Sequence, residues 1–312
     1  MKQSVFVGID VAQDKLDVFL SRQTIWEVFA NTPAGWEDLA QRLLPLKPER
    51  IVLEASGGYE KGVAKALLRH QLPVVRVNPE QARKFAGALG ERAKNDRIDA
   101  RMLATFAQCL ETHLLVLPSE DLQLLQSLKR QRDFLQQQVT DTQNLLRTSD
   151  QDLMKPLMQQ HLATLQQRVK AADALLRQTL RERPALKAQV DLLCTAPGVG
   201  VTSAIALLTE LPELGSLSHK SIAALAGVAP YVRESGKYKG QSRISGGRAR
   251  ARKALYMPTL VATRHNAVIR SFYERLKGKG KPKKQALAAC MRKFLCQLNA
   301  MMRDQMPWQG AA

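Results

Sequence analysis

Few of the residues that most often announce a function are present in this sequence. Aromatic side chains make up 5% of its 312 residues, too few for a platform that holds bases broadly by stacking. The four cysteines, Cys109, Cys194, Cys290 and Cys296, are scattered without CxxC spacing, and the five histidines do not cluster with them. That excludes the usual zinc patterns and leads us to expect reduced thiols in a cytoplasm. No run approaches the roughly 20 apolar residues that a membrane-spanning helix needs. The apolar stretch from Val5 to Ile9 is broken at once by Asp10, so neither a span nor a secretory leader is expected. Negative charge is scarce too.

What is abundant is positive charge. There are 47 Lys and Arg against 28 Asp and Glu, a formal net charge of +19. A polyanionic partner is the commonest reason to tolerate such self-repulsion, and nucleic acid is expected ahead of an anionic membrane. Between Lys220 and Lys293 stand 19 Lys and Arg against two acids, Glu234 and Glu274. This excess is interrupted by glycines and short polar residues at 233–252 and 277–284, which marks loops able to follow a phosphate backbone. The candidate contacts are Arg233, Lys237, Lys239, Arg243, Arg248, Arg250, Arg252, Lys281, Lys283 and Lys284.

The order of patterns divides the chain into three: 1–118, 119–184 and 185–312. The first part reads as mixed α/β, with strands at 4–10, 16–21, 24–30, 51–55 and 74–77 and helices at 35–44, 63–70 and 96–108. The second has many glutamines and apolar residues near heptad spacing, Leu128, Leu135, Val139 and Leu146, then Leu162, Val169 and Leu176. A helical coiled-coil hairpin bending between 148 and 156 is expected there. A packed pair within one chain and a coiled coil between protomers both fit. The third part reads as mainly helical, and Pro197-Gly198-Val199-Gly200 as the turn of a helix-hairpin-helix, whose backbone amides can hold phosphate, or as a plain helix-breaking turn.

Two core strands close on acids: Val5-Phe6-Val7-Gly8-Ile9-Asp10, and Ile51-Val52-Leu53-Glu54 followed by Ser56-Gly57-Gly58. A strand-terminal turn explains one such acid more readily than two. In Lys94-Asn95-Asp96-Arg97-Ile98-Asp99-Ala100, which opens a helix, Asp96 can serve as an N-cap and acids are favoured by the macrodipole. Asp96 and Asp99 are also three apart and share one helix face. Asp10, Glu54, Asp96 and Asp99 together supply the hard oxygen ligands that Mg2+ or Mn2+ prefers. Sites of this kind clamp the oxygens of a phosphodiester.

These stretches, in this order, resemble the DEDD transposases of the insertion sequence one-ten family. The resemblance extends over nearly the whole chain, through Ala196-Pro197-Gly198-Val199-Gly200, Leu225-Ala226-Gly227-Val228-Ala229-Pro230, Arg233-Glu234-Ser235-Gly236-Lys237 and Ile244-Ser245-Gly246-Gly247-Arg248. It implies an RNase H-like N-terminal domain similar to the Holliday-junction resolvase RuvC, and a mainly helical transposase domain carrying a serine nucleophile. Ser235 matches that serine, with Ser245 and then Ser242 as the other candidates. The same resemblance implies cutting and rejoining of donor and target DNA through a phosphoserine intermediate, guided by an element-encoded bridge RNA. A homodimer or tetramer in a bacterial, nucleoid-associated cytoplasm is the expected setting. Water attack at the four acids, as in a RuvC-like nuclease, is the enzymatic alternative; a basic nucleic-acid scaffold is the non-enzymatic one.

Overall fold

Short apolar runs in the first third fold into a five-stranded sheet of β1 (Phe6–Val11), β2 (Lys15–Leu20), β3 (Ile25–Ala30), β4 (Arg50–Glu54) and β5 (Val74–Val77). The computed structural model describes residues 4–91, 95–148, 152–231, 234–235, 238–239 and 243–310. Strand order is β3-β2-β1-β4-β5; the first three form an antiparallel meander, and β4 and β5 continue parallel to β1. Val7, Ile9, Leu16, Val18, Ile51 and Leu53 point to one face. There they pack under α1 (Pro33–Leu43) and α2 (Glu60–Arg69). The opposite face carries Val52, Val75 and Val77 against α3 (Pro79–Ala88) and α4 (Asp96–Cys109).

Side chains on a strand alternate between faces, so Gly8, Asp10, Lys15, Asp17, Phe19, Val52 and Glu54 share the face that α4 covers. Gly8 permits the close approach of that helix. A Cβ at this position would lie 1.9 Å from the Ala100 carbonyl oxygen and 2.5 Å from the Ala104 nitrogen. The first turn of α4 is therefore held on the backbone of the strand that ends near Asp10. Gly8→Ala should destabilise the fold by about 2–3 kcal/mol through overpacking and lift the Asp96–Asp99 turn from the sheet. Chemical denaturation checks the first effect; a midpoint equal to that of the wild type would show that α4 is not seated on β1.

The ends of β1 to β4 differ from the sequence expectation by at most two residues, and β5 coincides with it. The expected N-cap of α4 is corrected: Asn95, not Asp96, accepts from the Ile98 N–H, which leaves Asp96 in the first turn with its carboxylate available for another partner. Helix α3 was not expected, because none of its residues is fully buried and its apolar periodicity is weak.

The chain divides into two compact units, Met1–Leu117 and Pro118–Ala312. In the second, α5 (Glu120–Thr148) and α6 (Lys155–Arg181) form an antiparallel hairpin. Val139, Leu165 and Val169 pack between them with Leu135 and Leu162, so part of the heptad pattern is satisfied within the chain. Among the described residues, six further helices and a ribbon of short strands complete the unit: α7 (Pro184–Cys194), α8 (Val201–Glu210), α9 (His219–Leu225), the ribbon, α10 (Ala249–His265), α11 (Ala267–Gly278) and α12 (Lys283–Asp304). One apolar core joins them around Leu193, Leu207, Leu255, Phe294 and Leu298. Among the described residues, no helix is long and apolar enough to cross a membrane.

Candidate carboxylate site and basic ribbon

The acids expected from the sequence gather on the α4 face of the sheet. Burial and the charges of Asp99, Asp96, Asp17 and Glu54, in that order, push the Asp10 carboxyl up to about 6. Such a rise is what crowded carboxylates produce when one of them is withdrawn from water. Asp96 and Asp99 come from the first turn of α4, Glu54 from the end of β4, and Asp10 from β1.

Two further side chains join them, and the sequence reading missed both. Asp17 faces Asp10 directly across the β1–β2 pair and is only 6% exposed. Like charges in that position weaken a sheet. Lys15 answers this charge: its Nζ lies 2.6 Å from Asp96 Oδ2 and 2.9 Å from Asp17 Oδ2. The first contact is a directed hydrogen bond, whereas Asp17 Oδ2 accepts none of proper geometry among the described residues. An acid inside the apolar strand Leu16-Asp17-Val18-Phe19 was the available signal, and its meaning depends on hairpin register. Glu60 was missed as well. It is 3% exposed, accepts from the Gly58 N–H at 2.9 Å and pairs with Arg76, and so fixes the positive-φ turn Gly57-Gly58 that comes after Glu54.

The donor set fits a divalent cation by its chemistry, being rich in hard carboxylate oxygens around a crowded Asp10. In the arrangement seen, no three acidic, His or Cys side chains among the described residues meet closely enough to hold a metal. An ammonium group stands between Asp17 and Asp96 instead.

In the second unit, β6 (Pro230–Tyr231) pairs with β9 (Arg243–Ile244), and β7 (Glu234–Ser235) pairs with β8 (Tyr238–Lys239). Ser235 is opposite Tyr238, at the end of β7. Arg233, Lys237 and Ser242, like Lys94 of the first unit, lie outside the described residues, and so do the side chains of Ser235 and Lys239. The root of this ribbon is stitched by two glycines. A Cβ on Gly247 would stand 2.2 Å from the Gly227 nitrogen, and one on Gly227 would stand 2.3 Å from the Gly246 carbonyl oxygen. Ser245 is exposed beside this root.

The basic candidates fall into two groups. Arg248 forms a two-pronged pair with Glu213 at 2.6 and 2.7 Å, and Arg252 donates to the Gly227 and Gly246 carbonyls. Both guanidiniums brace the ribbon's root. Arg243, Arg250, Lys281, Lys283 and Lys284 are exposed. Helices α10 and α12 have no acid in their first turn and carry Arg250, Lys283 and Lys284 there. Cations at a helix N-terminus oppose the macrodipole, an arrangement relieved by a bound anion. Gly198, at the turn between α7 and α8, has φ +108° and would bring a Cβ within 2.7 Å of the Pro258 carbonyl oxygen. That turn has a packing role of its own.

Comparison with known proteins gives concordant matches. Residues 7–149 match the DEDD transposase family of IS110, and residues 190–274 match the transposase family IS116/IS110/IS902. The pilin gene-inverting protein of Moraxella lacunata is 29% identical over 97% of this chain and 97% of its own. An insertion element IS110 protein of Streptomyces coelicolor is 27% identical over 50% of this chain and 38% of its own. RuvC of Thermus thermophilus, solved with a Holliday junction substrate, gives a TM-score of 0.28 at 16% identity, over 36% of this chain and all of that one.

Proposed function

Since this chain belongs to the IS110 family of transposases, and is thereby an enzyme that cuts and rejoins DNA, we propose that it works as a metal-dependent serine recombinase with an RNase H-like N-terminal unit. Asp10, Glu54, Asp96 and Asp99 hold the divalent cation, Mg2+ or Mn2+. When bound, it supplies charge neutralisation at the scissile phosphate. Ser235 Oγ attacks the phosphorus, the bond to the leaving deoxyribose oxygen breaks as the new O–P bond forms, and the proton lost by the serine is taken up by that oxygen, which leaves as a free hydroxyl. The phosphoserine ester so formed keeps the energy of the broken linkage, and attack by a hydroxyl of the exchanged strand returns Ser235.

The observation that carries this reading is the gathering of the acids around Asp10, for which a folded protein has no structural need. The serine has weaker support: its family motif, its position at the end of β7, and a root braced by Arg248 and Arg252. Exposed Arg243, Arg250, Lys281, Lys283 and Lys284 suit phosphate contacts. A basic surface with few aromatics suits the delegation of base recognition to a bridge RNA, whose pairing would select donor and target DNA. Phe134, Leu145 and Leu157 stay exposed on the α5–α6 hairpin, which favours a dimer or tetramer joined there.

Incubation of the full-length protein with junction DNA, the element's RNA and Mg2+, followed by a denaturing gel, tests the reading. A protein–DNA adduct that is lost on chelation is expected. Metal-dependent cleavage without an adduct would favour water attack, as in a RuvC-like nuclease. Binding without any cleavage would leave only a scaffold.

A further inference from the structure

Lys15 stands where the proposed metal site is most acidic, and the role inferred for it rests on that site. Asp99, Asp96, Asp17 and Glu54 all act on Asp10 there, and Lys15 joins Asp17 and Asp96, which come from different elements. We propose that Lys15 is a tethered counter-cation: it bridges Asp17 and Asp96 while no divalent cation is bound, and releases Asp96 when one binds, staying anchored to Asp17.

The two ends of the bridge are unequal. Asp17 is buried on β2, and its Oδ2 has the Lys15 ammonium beside it without a directed hydrogen bond. A buried carboxylate so poorly solvated holds tightly to any cation within reach. Asp96 is half exposed, as is the Lys15 side chain, so the bond between them is of the weak, solvent-screened kind. The exposed end is therefore the one that opens. Four methylenes give the ammonium room to swing from α4 without leaving Asp17. The bridge also accounts for acids that crowd around Asp10 without forming a ready-made metal cage: the ammonium occupies Asp96, one of the two acids with which α4 would reach the ion.

Competition between two cations for one carboxylate is reciprocal: whatever Lys15 costs the metal, the metal costs the Lys15–Asp96 pair. The test uses Mn2+ as probe on the full chain, with binding followed by electron paramagnetic resonance and amine reactivity by reductive methylation and peptide mass spectrometry. Saturating Mn2+ is expected to raise Lys15 labelling several-fold with other lysines unchanged. Asp96→Asn should raise it without metal. Lys15→Met should bind Mn2+ about tenfold tighter and melt at a lower temperature when metal-free. Mn2+ binding that leaves Lys15 labelling unchanged overturns the counter-cation and spares the metal site. No Mn2+ binding by either protein overturns both.

Discussion

Ser235→Ala protein is expected to form no covalent adduct with DNA and to lose strand exchange by about 10³-fold or more, while still binding junction DNA and Mn2+ as the wild type does. A nucleophile's oxygen has no substitute in alanine, and any residual turnover would come from water at the carboxylates. The fold should be indifferent to the change. Among the described residues, Ser235 lies in a two-residue strand paired with β8, and the bracing of the ribbon depends on Gly227, Gly247, Arg248 and Arg252. Suicide-substrate trapping of both proteins on one gel reads the result. An adduct that persists in Ser235→Ala and disappears in Ser245→Ala would move the nucleophile to the root of the ribbon.

Asp10→Asn carries the second large effect: a loss of cleavage on the order of 10³-fold, together with a rise in metal-free melting temperature at pH 7.5. Both directions come from one property. The folded-state carboxyl is pushed up to about 6, above its ordinary 3.8, so the folded protein binds this proton more tightly than the unfolded chain. Stability from this group is full below about 3.8 and is lost as pH rises through about 6. At pH 7.5 the wild type bears the whole penalty of an ionised Asp10, and the amide removes it. The same proton competes with a metal ion, so wild-type Mn2+ affinity should fall as pH drops from 7.5 to 5.5. Calorimetric melting with and without Mn2+ across that range checks both effects. A variant that melts lower than wild type at pH 7.5 and flattens no part of the pH profile would contradict the crowding.

Much of the first unit was legible because β1, β4 and β5 are apolar runs rich in β-branched residues, and β1 and β4 close on acids. Asp10 and Glu54 stood out as charges closing buried strands, and Asp96 and Asp99 as neighbours on a helix face. Lys15 and Asp17 were not legible. Their meaning depends on the register that sets Asp17 opposite Asp10 and on a helix that returns 81 residues later to offer Asp96. Arg248 and Arg252 illustrate the converse. In sequence they belong to the basic stretch 233–252, but Glu213, 35 residues upstream of Arg248, and the carbonyls of two glycines claim their guanidiniums. Local charge density says that cations are present, and only the fold says which are already engaged.

The glycine stitch at the root of the ribbon has one more consequence. Because the chain leaves the helical core at Gly227 and re-enters it at Gly247 in backbone contact, the distance between exit and entry is fixed whatever lies between them. Closing a somewhat longer or shorter loop across such a gap changes the entropy little. The helices on either side, α9 and α10, are thus positioned by Gly227 and Gly247 rather than by the ribbon between them.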